Sequence, residues 1–335
     1  MMRSGALRVA AVVVVLAASA VGCSSAAKTT AGCPSVTPRP PVSGRGHDAP
    51  PVVPTRGAYL GAFALTGAFT QQRFVASVAE LQTEICRPLD IVHSYLRWQQ
   101  PFPLDSQLSV SRSGQILLLS WTGTDTAAMA SGADDAEIRR VAAEVASLHS
   151  PVFVELRWEM DRRNLAYVVH SPDTFIAAWD HTRAVFAQAG VRNASWVWCP
   201  TATGFDLGTA PAYYPGDNEV DWICTDAYPA PDGPVEQLKA ELAAFLAWAA
   251  PRGKPIMLGE IGVPESYSPA TRSSWINNAA AFVKQTPQIK AVVYFDYNPI
   301  GHSRSRDYLL APGTPAAAAF RSLGADPWFQ PSVSH

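Results

Sequence analysis

A chain of 335 residues with a formal charge of −2 and scattered lysines and arginines lacks the basic surplus on which nucleic-acid binding rests, so that class of function is excluded. A hydrophobic content of 48% against 16% charged residues rules out disorder as the dominant state and suffices for a large core. Ten tryptophans and ten tyrosines supply flat amphipathic rings, which serve ordinary cores and sugar-binding clefts alike.

In chain order, Arg3 and Arg8 precede a small, apolar run from Val9 to Gly22. That is the length of a signal-peptide core and too short to span a bilayer comfortably. The run ends in Ala20-Val21-Gly22-Cys23, which resembles a bacterial lipobox. Residues 1–22 are therefore expected to be a lipoprotein signal peptide and Cys23 the lipidated residue. The protein is then exported and held at the outer face of the cell membrane, touching it through lipid alone. Residues 23–55, with Pro38, Pro40, Pro41, Pro50, Pro51 and Pro54, read as a proline-rich linker.

Cys33, Cys86, Cys199 and Cys224 remain, an even number in an exported protein, which suggests disulfides. Four cysteines allow three connectivities. Cys199 and Cys224 fall in consecutive predicted strands, and that pair with Cys33–Cys86 is the preferred arrangement; buried thiols are the alternative. No CxxC occurs and the histidines are dispersed, so neither a metal nor another cofactor is expected.

From residue 56 to about 330, short apolar runs alternate with Ala-rich stretches. Strands are expected at Tyr59–Phe63, Ile91–Tyr95, Ile116–Trp121, Val152–Arg157, Ser195–Trp198, Trp222–Thr225, Pro255–Gly259 and Ala291–Phe295. Helices are expected at Thr70–Glu84, Asp134–Leu148, Ser171–Ala189, Pro234–Ala250 and Pro269–Thr286. Eight strands separated by helices favour parallel pairing, and closure gives a (β/α)8 barrel, an α/β TIM-barrel fold in one catalytic domain. The rival is an open doubly wound sheet. Against it, Gly57-Ala58-Tyr59-Leu60-Gly61 lacks the phosphate-binding glycine spacing.

Catalytic groups in such a barrel sit where strands end. Glu159 follows the fourth strand and Glu260 the seventh, on opposite sides of the mouth. Two carboxyls flanking one bond are what glycosidic cleavage requires. Other rings and polar groups near strand ends are candidate substrate contacts: His93, Trp98, Trp121, Trp158, Asp161 and Phe295. Glu155, in mid-strand, is expected in a buried ion pair, and Asp296 to bind a sugar hydroxyl or an arginine.

The order of motifs resembles glycoside hydrolase family 26. Trp158-Glu159-Met160-Asp161 is similar to the family's His-Glu-Met-Asn, and Gly259-Glu260-Ile261-Gly262 to its nucleophile strand. Ser195 to Pro200 is similar to the fifth strand and Val220 to Tyr228 to the sixth. The resemblance covers roughly Gly57 to Leu323. It implies Glu159 as acid/base, Glu260 as nucleophile and Tyr228 as the tyrosine that hydrogen-bonds it. It further implies a retaining, endo-acting hydrolase of a β-linked polysaccharide, β-mannan being the familiar substrate. This chain departs at Trp158, at Asp161, and at Glu155 where family members carry arginine. A monomer is expected. The alternative function is a non-catalytic carbohydrate-binding lipoprotein on the same scaffold.

Overall fold

The structure, a computed structural model, describes Cys33, residues 48–299 and residues 303–332. The expected signal peptide and the lipidation site Cys23 lie outside the described residues. Eight parallel strands close into a barrel in sequence order: β1 (Tyr59–Gly67), β2 (Ile91–Leu96), β3 (Ile116–Trp121), β4 (Val152–Leu156), β5 (Ala194–Trp198), β6 (Trp222–Ala227), β7 (Ile256–Ile261) and β8 (Ile289–Pro299). The runs read as strands are buried on both faces. One set of alternate residues fills the barrel, including Tyr59, Ile91, Ile116, Leu118, Phe153, Trp222 and Met257. The other set, including Leu60, Val92, Leu117, Val154, Ile223 and Leu258, packs beneath the helices. Each such side chain removed from water contributes about 1.5–3 kcal/mol, and this double burial is why the strands appear as continuous apolar runs.

Four of the covering helices begin at a hydroxyl cap. Thr70, Ser171, Ser268 and Thr314 each accept a hydrogen bond from the backbone N–H three residues on, and proline opens the last three of these helices, where no donor is needed. The helix expected over Pro234–Ala250 is shorter and broken, as Leu238–Glu241 and Ala243–Ala249. Helices at Asp105–Arg112 and Pro315–Ala325 are additional to the expected set.

Both preferred disulfides are present, Cys33–Cys86 and Cys199–Cys224, with Cα separations of 5.3 and 4.3 Å. The described end of the proline-rich stretch is not free of the barrel. Pro51 and Pro54 are buried, Tyr59 Oη donates to the Val52 carbonyl at 2.7 Å, and Asp48 meets His149 at 2.8 Å. Residues 48–55 thus form part of the folded body.

The register of β7 controls the site. β6 pairs Thr225 with Leu258 and then Asp226 with Glu260, so Gly259 is an extra residue, a β-bulge that re-aims the side chain after it. Glycine is required there. A Cβ on residue 259 would stand 2.6 Å from Cys224 Sγ, 2.8 Å from Asp226 Oδ1 and 2.9 Å from Cys199 Sγ, and a disulfide cannot swing aside as a flexible side chain does. Gly259→Ala is expected to cost about 1–3 kcal/mol by overpacking, measured by urea denaturation. A loss below about 0.5 kcal/mol, the range of a neutral surface change, would refute this account of the bulge.

Candidate active site

Glu260 sits in β7, 7% exposed, with a tyrosine on each oxygen. Tyr95, near the end of β2, donates to Oε1, and Tyr228, just past β6, donates to Oε2 at 2.7 Å. Burial, then the charge of Glu159, push the Glu260 carboxyl up to about 7, while both tyrosines and Arg162 pull it back. Beside it Phe295 of β8 stacks on Phe63 of β1, with ring centroids 5.3 Å apart. Tyr297 and Tyr308 lie against Phe295 at 5.1 and 5.8 Å, completing an aromatic wall.

Glu159 lies three residues beyond β4 in a tight turn. Its backbone has φ +52°, and Arg157 has φ +50°, left-handed conformations that cost non-glycine residues energy and recur at functional sites. The turn is held from below, where the Glu159 N–H donates to the Cys199 carbonyl at 2.7 Å. The Glu159 carboxylate pairs with Arg162, and its side chain is 13% exposed. Burial raises its pKa, and Arg162 opposes the rise.

Deeper in the barrel stand two more carboxyls. Glu155 is buried and accepts from the Ser120 hydroxyl, and Ser120 Oγ also meets His93 Nε2 at 2.6 Å. No ion pair involves Glu155 among the described residues, contrary to expectation. Burial pushes Glu155 up to about 8. Asp226 is raised well above the ordinary range by burial and then by the charge of Glu260. His93 is pulled down to about 3 by burial alone, so its ring is neutral. One trio of potential metal ligands comes together among the described residues, Glu155 with Cys199 and Cys224. Both sulfurs are joined in the disulfide, which leaves no thiolate to bind an ion.

The structure brings Glu159, Glu260, Tyr228, Trp158 and Phe295 to one mouth; Trp158 is half-buried with its ring 5.0 Å from Tyr95. Three other expected contacts need correction. His93 is wholly buried in the layer below Tyr95 and cannot reach a ligand. Trp121 is wholly buried too: Ile116 and Leu118 of β3 point inward, so Trp121 points out under the helices. Asp161 clamps a loop, accepting from Thr201 N at 3.0 Å and Thr201 Oγ1 at 2.5 Å. Trp98 stacks on Trp121 at 5.1 Å, so that face is covered. Asp296 is buried, accepts from the Leu310 N–H at 2.7 Å and is raised by burial to about 7. Residues missed from sequence are Tyr95 and Tyr308. Tyr95 was detectable, since it follows the inward residues Ile91 and His93 at a spacing of two.

The raised carboxyls set a pH dependence of folding. Glu155 and Glu260 keep their protons to about 8 and 7, against 4.5 for the ordinary group. Between those values the native state binds more protons than the unfolded chain, so their contribution is complete below about pH 4.5 and is lost as pH rises through 7 and 8. Glu155→Gln, which cannot ionise, should lose less stability between pH 5 and 9 than the wild type in urea titrations. An unchanged pH slope would refute the assignment.

No family model matches the chain. Endoglucanase H of Acetivibrio thermocellus is 25% identical over 289 residues, which are 80% of this chain. This chain spans about a third (31%) of that curated relative's length. Among solved structures, a GH26 β-mannanase from Bacteroides ovatus aligns with a TM-score of 0.62 at 18% identity, over 82% of this chain and 90% of its own. The catalytic domain of a Bacillus sp. GH26 endo-β-1,4-mannanase aligns at 0.64 and 16% identity, over 82% and 87%. The chain has the barrel fold of these enzymes.

Proposed function

We propose that the protein is a retaining, endo-acting glycoside hydrolase that cleaves a β-linked polysaccharide by double displacement. The observation that carries this is Glu260, held by two tyrosyl hydroxyls at the barrel mouth and in electrostatic contact with Glu159. Glu260 attacks the anomeric carbon, the glycosidic bond breaks, and the leaving oxygen takes a proton from Glu159. Glu159, now a base, takes a proton from water, whose oxygen attacks the same carbon and expels Glu260. The first step removes charge from Glu260, so the affinity of Glu159 for its proton falls when it must act as a base. Tyr95 and Tyr228 favour the ionised nucleophile and fix its orientation. The relatives' β-mannanase and endoglucanase names support a β-glycan as substrate.

The N-terminal sequence supports an exported, lipid-anchored protein modified at Cys23. No helix among the described residues is long and apolar enough to cross a membrane.

The test is hydrolysis of mannan, glucan, xylan and arabinan by the purified protein. Cleavage of one polymer, with Glu260→Ala lowering the rate by about a thousandfold or more, is expected. Binding without cleavage would replace the hydrolase with a carbohydrate-binding protein. Tyr95→Phe should lower kcat about ten- to a hundredfold and move the acid limb of the pH profile upward, because Glu260 loses a hydrogen bond that favours its charge. An unshifted acid limb would remove Tyr95 from this role.

A further inference from the structure

Arg162 touches the acid/base and is not spent by it. Its guanidinium meets Glu159 Oε2, and half of its side chain (50%) is open to solvent. A guanidinium presents five donors in a planar fork, and one carboxylate oxygen uses a minor part of that capacity. It also lies within electrostatic reach of Glu260, so it acts on both carboxyls.

The loops beyond β4 and β8, on opposite sides of the barrel, share this character. Arg163 is exposed beside Arg162, and Arg304 and Arg306 are exposed on the β8 side. Tyr308 packs on Tyr228 at 4.8 Å and feels Glu260, Arg306 and Glu159 together, which sets Arg306 at the same mouth. The carboxylates on the described parts of these loops are fewer than the cations: Asp161 is committed to Thr201, Asp307 is buried and acts on Tyr308 against Arg306, and Glu159 is the catalytic group itself.

A neutral sugar offers such a cation no charged partner. Left on Glu159, the guanidinium also disfavours the protonated form that a departing oxygen needs. A carboxylate on the substrate resolves both problems, because it matches the guanidinium fork bidentately. We propose that the cleft takes an acidic β-glycan, whose carboxylate near the scissile bond draws Arg162 off Glu159 and leaves that residue free to carry its proton. The proposal rests on the hydrolase reading for its catalytic part; the ligand preference can be read without turnover.

The experiment compares matched oligosaccharides that differ at C6 alone: β-1,4-mannuronate against β-1,4-mannose hexamers, and β-1,4-glucuronate against β-1,4-glucose hexamers. Binding to the Glu260→Ala protein is measured by calorimetry at two salt concentrations. One acidic hexamer is expected to bind about tenfold or more tighter than its neutral partner, with the advantage shrinking in salt. Adding Arg162→Gln should erase the preference, and Arg162→Lys should keep part of it. Arg162 is exposed, so unchanged melting temperatures will show that the variants fold. In turnover, Arg162→Gln should lower kcat/KM on the acidic oligosaccharide and raise it on the neutral one, because Glu159 loses the cation that opposes its protonated form. Equal or tighter binding of the neutral hexamers, no binding of any hexamer, or an acid preference that survives Arg162→Gln would overturn the proposal. Acid-selective binding with no hydrolysis by the wild type would instead sink the hydrolase reading and leave the ligand class standing.

Discussion

One extra residue in β7 decides which way Glu260 points. Met257 faces into the barrel and Leu258 outward, so strict alternation would send residue 259 in and residue 260 out among the helices. The bulge at Gly259 breaks that parity and turns the carboxylate inward. The space beneath is already taken by the Cys199–Cys224 bridge and Asp226, which stand where a Cβ on residue 259 would go. Glycine, bulge and disulfide therefore form one device. The same bridge reaches the other carboxylate, since the Cys199 carbonyl holds the Glu159 N–H. Both glutamates are positioned from a shared floor rather than by independent loops.

That floor is crowded with acid. Glu155, Asp226, Glu260 and Glu159 share the C-terminal half of the barrel, and Arg162, at the rim, is the cation that contacts one of them. Low dielectric and mutual repulsion mean they cannot all ionise near neutrality. The depth gradient sorts them. Glu155 and Asp226, deep and donor-poor, hold their protons; Glu260, with two tyrosyl donors, is the carboxyl most readily ionised in the buried set. A neutral His93 hydrogen-bonded to Ser120 adds no compensating charge. The negative charge is thereby concentrated on Glu260, the group that the proposed mechanism makes the nucleophile.

Much of this was legible in the chain. The strands showed because double burial produces apolar runs, and the helix start at Ser171 because its hydroxyl cap and the following proline leave a local mark. Glu159 and Glu260 were legible because each stands just past or within the end of an apolar run, and Tyr228 through the resemblance of its segment to the family 26 sixth strand. The misplaced residues share a cause: proximity to a strand end does not reveal which way a side chain faces. His93 lies one inward step below the rim residue Tyr95, and Trp121 is on the outward set of β3. Asp161 was ambiguous because nothing local reveals that Thr201 waits beside it. The disulfide pairing could be preferred on strand adjacency without being fixed, since three connectivities satisfy the same four cysteines.

Arg162 marks where a motif stops being informative. Three positions past Glu159, it reads in sequence as a loop charge able to pair with that carboxylate, and the fold shows the pair formed. On the proposed reading it does two things at once: as a cation it selects what can bind, and as a neighbour of Glu159 it biases the proton that the reaction spends. A ligand that competes for the guanidinium therefore changes its own rate of cleavage, by altering the group that must protonate the departing oxygen. Under that proposal, selection among glycans is not a matter of shape alone: it is coupled to catalysis through a single guanidinium, and the departures from the familiar motif around Glu159 fall on the same turn that carries it.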